Sequence, residues 1–129
     1  MSSYTFGKSI ALPFDAAVDR VASELAKEGF GVLIEVGVAA TLKKRLGQDM
    51  PPYKILGACN PQFASQALAA EPQIGALPPC NVGVRVDAAG STRVEFMNPN
   101  AVLPLVDHPE VARLVGAVRL RLGKVMDAL

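Results

Sequence analysis

The chain has 129 residues, with 13 Lys+Arg against 12 Asp+Glu and a formal net charge of +1. That balance excludes a strongly basic nucleic-acid binder and a polyacidic tail. Two cysteines are too few for a disulfide scaffold, and a single histidine excludes a His-cluster metal site. Hydrophobic residues make up 50% and charged residues 19%, enough apolar material for a packed core. The length fits one domain spanning residues 1–129.

Met1-Ser2-Ser3-Tyr4 runs straight into a strand pattern, with no basic stretch and apolar core of a signal peptide. No run of apolar residues is long enough for a membrane span. The expectation is a soluble protein, cytoplasmic by default, with neither membrane nor nucleic acid as a partner.

Tyr4 to Leu12 alternates as a strand, with Phe6, Lys8, Ile10 and Leu12 on one side. Pro13 opens a helix whose Phe14, Val18, Val21, Ala22 and Leu25 form one apolar stripe, leaving Asp15, Asp19, Arg20, Glu24 and Lys27 to water. Gly29 falls where a left-handed helix cap is wanted, so Gly29-Phe30-Gly31 reads as a cap. A dinucleotide fingerprint would need the glycines after a strand and before a helix. Gly31 to Val36 is a short apolar strand. Val38, Leu42 and Leu46 then mark a short helix ended by Gly47, with Lys43-Lys44-Arg45 as a solvated basic cluster.

Pro51-Pro52 precedes a strand from Tyr53 to Cys59. Asn60-Pro61 is a helix start, an amide cap followed by a proline that has no N–H to leave unsatisfied. That helix runs through Phe63, Ala67 and Leu68 and stops before Pro72. Cys80 to Val86 and Ser91 to Met97 form a hairpin across Asp87-Ala88-Ala89-Gly90, with Val82, Val84 and Val86 on the same face as Thr92, Val94 and Phe96. Pro109 to Leu129 carries the clearest helical stripe: Val111, Leu114, Val115, Val118, Leu122, Val125, Met126 and Leu129. The order β-α-β-α-β-α-β-β-α predicts an α+β two-layer sandwich, helices on a single mixed or largely antiparallel sheet, with the strand order open.

Two phrases stand out for chemistry: Cys59-Asn60-Pro61 and Pro79-Cys80-Asn81. Each cysteine lies at a strand terminus beside an asparagine. An intervening helix that returns the chain antiparallel would bring both to one edge of the sheet. Cys59 directly precedes a helix start, where backbone N–H groups and the helix dipole stabilise a thiolate. Small thiols are also ordinary core residues, so Cys59, Asn60, Cys80 and Asn81 stand as thiol or ligand-binding candidates beside a plain packing role. Two thiolates can hold a soft ion such as Cu(I) but leave a tetrahedral zinc site incomplete.

Asn60, Gln62, Gln66, Gln73 and Asn81 form an amide-rich set that would suit a polar cleft, or simply caps and turns. His108, with Asp107 before it, would suit a general base. The same residues also read as a helix start, with Asp107 as the cap and Glu110 at the positive end of the dipole. One histidine and scattered acids assemble no catalytic constellation. The sequence therefore assigns no catalytic residue, no metal site and no cofactor.

Gly29-Phe30-Gly31-Val32-Leu33, Ala40-Thr41-Leu42 with Leu46-Gly47, Pro52-Tyr53-Lys54-Ile55-Leu56-Gly57-Ala58-Cys59-Asn60-Pro61, Ile74-Gly75 and Leu77-Pro78-Pro79-Cys80-Asn81-Val82 carry a resemblance. Together they resemble the bacterial and archaeal family called domain of unknown function 302, roughly from the first strand to Pro99. The resemblance implies a small α+β domain, usually standing alone, without an established activity or accepted catalytic residues. It makes both cysteine–asparagine phrases family features.

Two functions fit these residues. One is a small-ligand, soft-metal or thiol-dependent binding module bordered by Cys59, Asn60, Cys80 and Asn81. The other is a structural or regulatory homodimer. For the latter, the nearly charge-free run from Ile55 to Val84 or the small-residue strip Ala112, Gly116 and Gly123 would meet a second copy. An unbroken series of amphipathic elements without a linker predicts one coincident thermal unfolding transition by near- and far-ultraviolet dichroism. Two separated transitions would contradict a single domain.

Overall fold

Side chains that alternate along the strands decide which face of the sheet is covered. The computed structural model describes residues 4–77 and 80–129, so residues 1–3 and the Pro78-Pro79 part of the second cysteine phrase lie outside it. The strands are β1 (Thr5–Ile10), β2 (Gly31–Gly37), β3 (Tyr53–Cys59), β4 (Cys80–Val86) and β5 (Thr92–Met97). The helices are α1 (Phe14–Lys27), α2 (Val38–Leu46), α3 (Pro61–Ala70), α4 (Pro99–Val102) and α5 (Pro109–Asp127). Two 3-10 turns, Pro72–Ala76 and Leu103–Leu105, complete the described elements.

The five strands form one sheet in the order β1-β5-β4-β3-β2, and every neighbouring pair is antiparallel. The fold is α+β with helices packed on that sheet. No parallel pair is present among the described strands, which narrows the expectation of a mixed or largely antiparallel sheet. The hairpin register sets Val82 opposite Phe96, Val84 opposite Val94 and Val86 opposite Thr92, as the alternation predicts. Leu56 faces Val82 across the next ladder and Phe6 faces Phe96 on the other side. The rings of Phe6 and Phe96 meet edge-on, with centroids 5.5 Å apart.

Leu56, Val82, Val84, Val94 and Phe96 are covered by Ala17, Val21 and Leu25 of α1 and by Val118, Leu122 and Val125 of α5. Glu24, expected in water, is buried; its carboxylate is met by Arg20 at 3.2 Å and Lys27 at 2.8 Å on the same helix. After α1, the Gly29 and Phe30 N–H groups bond back to the carbonyls of Ala26 and Leu25, and Gly29 takes φ +84°. This is the Schellman closure, and Phe30 turns into the core.

The sequence did not mark the two 3-10 turns or α4. All three start at or next to a proline. The α5 helix starts at Pro109 as expected, but its cap differs. His108, rather than Asp107, is the cap, with its Nδ1 accepting from the Glu110 N–H at 3.1 Å. Among the described residues no helix is long and apolar enough to cross a membrane.

Leu122 lies at 1% exposure at the centre of the α5 stripe. Leu122→Ala is expected to lower unfolding free energy by about 2–5 kcal/mol in urea titration. A loss near that of an ordinary surface substitution, about 0.5 kcal/mol, would mean that α5 does not close this core.

Candidate functional site

The site is built where β3 ends. Asn60 is buried, 7% exposed, and its Oδ1 accepts from the Gln62 N–H at 3.2 Å and the Phe63 N–H at 3.4 Å. These are orphan donors of the first turn of α3, and Pro61 contributes none. Asn60 Nδ2 donates to the Glu28 carbonyl at 3.5 Å, and Arg121 of α5 donates to the same oxygen at 3.2 Å. A Cβ at Gly29 would stand 3.0 Å from Asn60 Nδ2, so glycine there serves both the positive φ and the close approach of the amide. The Arg121 guanidinium also lies over the Phe63 ring, 5.4 Å from its centroid.

Beside this junction lies a cavity of about 370 Å³, within the range typical of small-molecule sites. Phe30 and Ala58 form its inner wall, and Phe63, Ala64, Ala67 and Leu68 of α3 line one side. Val111, Leu114 and Val118 of α5 line another. Ile74 and Leu77 border it from the 3-10 turn that follows α3. Cys59, Asn60 and Cys80 reach it from the strand ends, and Ile34 from β2. No Asp, Glu, Lys, Arg or His is among the described residues that line it.

The four candidate residues do not share one place. Cys59, Asn60 and Cys80 border the cavity; Asn81 does not. Ala58 pairs with Cys80 and Gly57 with Asn81, so alternation turns Asn81 away from the side that holds Ala58 and Cys80. Repetition of a two-residue phrase carries no information on which face each copy occupies. Cys59 and Cys80 are both half-buried free thiols at the same end of adjacent strands. Those strands lie inside the sheet, not at its edge.

Burial, and secondarily the charge of Cys59, push the Cys80 thiol from its ordinary 9.0 up to about 11. Cys80 therefore stays protonated in the neutral range, a weak donor in an apolar wall. The glutamines are elsewhere. Gln66 accepts from Arg113 at 3.2 Å, and Gln73 donates to Glu71 at 2.9 Å, both on the exposed surface. The amide-rich set is therefore not a cleft. Sequence reasoning missed the apolar walls, whose one visible signal is the pair Ala64 and Ala67, where larger residues would fill the space.

The family model for the domain of unknown function DUF302 matches residues 6–129. The chain belongs to this family. The match carries the family through α5, beyond the Pro99 at which the sequence resemblance ends. A crystal structure of an uncharacterized conserved DUF302 protein from Bacillus stearothermophilus is similar at 25% identity and a TM-score of 0.89, covering 98% of each chain. No curated protein matches the chain.

Two outcomes follow from this geometry. Asn60→Ala is expected to cost about 1–2 kcal/mol in urea unfolding, because it removes the α3 cap; an unchanged midpoint would contradict the junction. The raised Cys80 pKa also has a sign. Above about pH 9 the unfolded thiol ionises while the folded one does not, so stability present below pH 9 is lost as pH approaches 11. Wild-type protein is expected to lose on the order of 2 kcal/mol more than Cys80→Ala across that range, read from alkaline unfolding curves.

Proposed function

We propose that this DUF302 domain is a small-molecule binding module, with its ligand in the cavity between α3, α5 and the ends of β3 and β4. The carrying observation is the cavity itself: about 370 Å³, opened beside a fixed helix cap and reached by both cysteines. Cys59 and Cys80 serve as its sulfur-lined end. Of the chemistries open to two thiols, a soft-metal site is the less favoured, since Cys80 is held protonated by burial and only two sulfurs border the cavity. Native mass spectrometry of protein taken directly from cells is expected to show a discrete mass above 13.5 kDa. Ala64→Leu, which narrows the cavity, is expected to lose it. Bare polypeptide mass in the wild type would count against a retained ligand.

A specific observation also favours the homodimer. Leu33, Ile34, Val36 and Leu46 are 73%, 53%, 40% and 70% exposed, and α2 buries none of its residues. Exposed apolar side chains grouped on one edge strand and the helix after it fit a surface covered by another copy. This patch differs from the α5 strip, where Gly116 and Gly123 border a cleft that also carries Arg119, Lys124 and Asp127. Sedimentation equilibrium at micromolar concentration is expected to report twice 13.5 kDa for wild type and half of that for Leu33→Glu combined with Leu46→Glu. A wild-type monomer would remove the dimer.

A further inference from the structure

We infer that the occupant of this cavity is an uncharged, largely apolar small molecule, seated with its polar end toward Cys59, Asn60 and Cys80. The inference rests on the binding reading above and names its ligand class. Three clefts of the molecule are of similar size. Two, each about 350 Å³, carry ionised groups: Arg119, Lys124 and Asp127 in one, Glu71 and Asp107 in the other. The third, about 370 Å³, carries none. A carboxylate, phosphate or ammonium group seated there would give up its hydration without meeting an opposite charge, which is strongly unfavourable.

The polar atoms that remain are gathered at one end. Asn60 directs its carbonyl oxygen to the start of α3, and its amide nitrogen to Glu28, so its hydrogen-bonding capacity is largely spent on the fold. The two thiols offer weak donors and polarizable contacts rather than a charge. The rest of the described lining, Leu68, Ile74 and Leu77 included, carries no polar side chain. An aromatic or alicyclic body with one neutral polar substituent matches this gradient. A fully polar metabolite does not.

The test uses a matched pair of fluorescent probes: neutral N-phenylnaphthylamine and the sulfonated anilinonaphthalene sulfonate, which share a ring system and differ by one negative charge. The full chain is expected to bind the neutral probe saturably and one-to-one, roughly tenfold or more tighter than the sulfonated one. Ala67→Arg is expected to reverse that order, and Ala64→Leu to weaken the neutral probe by about tenfold. Both substitutions lie on α3, none of whose residues is fully buried, and an unchanged circular dichroism spectrum shows that each variant is folded.

Equal affinity for both wild-type probes would overturn the neutral-ligand inference and leave the binding module standing. Saturable binding of neither would overturn the binding module itself. Neutral-probe binding indifferent to both substitutions would place the probe outside this cavity and overturn the inference.

Discussion

The amide of Asn60 is the constraint on which the rest of the site depends. A buried side-chain amide must place its donors and acceptor or lose several kilocalories of hydration. Here the carbonyl oxygen closes the first turn of α3, and the amide nitrogen reaches the last carbonyl region of α1 at Glu28. Arg121 brings α5 to the same oxygen. One residue thus fixes the direction in which α3 leaves the sheet, relative to both long helices. Gly29 permits it, since a Cβ there would press on the amide at 3.0 Å.

That fixed direction leaves space under α3. Elsewhere the helices meet the sheet through Leu25, Val118, Leu122 and Val125 against Leu56, Val84 and Val94, with each of these side chains buried. On α3 the residues turned toward the cavity include Ala64 and Ala67, and no residue of that helix is fully buried. Short side chains on a helix that packs beside α5 leave a void that leucine would close. The void is apolar because β3 and β4 are interior strands, which present Ala58 and Cys80 to it. The scarcity of charge between Ile55 and Val84 has the same origin: most of that run is central strand and cavity wall.

Much of this was legible in the residues. The 3.6-residue stripes of α1 and α5 and the two-residue alternation of β4 and β5 follow from which faces must be buried, so each marked the right element and, apart from Ala17 and Glu24 on α1, the buried side chains. The caps at Gly29 and Asn60 were legible because few residues satisfy those backbone positions. Strand order was not, since pairing is settled by contacts between segments far apart in sequence. For the same reason Asn81 was grouped with Cys80, although adjacent strand residues face opposite ways. The start of α5 at Pro109 was legible, but its cap moved by one residue, because histidine, with an acceptor nitrogen, capped it in place of the neighbouring aspartate. The cavity was legible only as two alanines and two thiols, and a void has no residues of its own to read.

Ile34 joins the two functional readings at one side chain. It lines the cavity and is also 53% exposed in the apolar group formed with Leu33, Val36 and Leu46. The β2 strand is irregular at this point: its register against β3 shifts between Val32 and Ile34, which leaves Leu33 as the extra residue. A bulge on an edge strand re-aims side chains, and here the residue after it reaches the cavity while the bulged one stands in solvent. Any second copy that covered β2 would therefore cover the Ile34 wall of the cavity as well. Ligand affinity and self-association through this strand would then be linked, each changing the other by the same free energy, since coupling between two binding equilibria is reciprocal. The α5 cleft has no such connection, because none of its lining residues borders the apolar cavity.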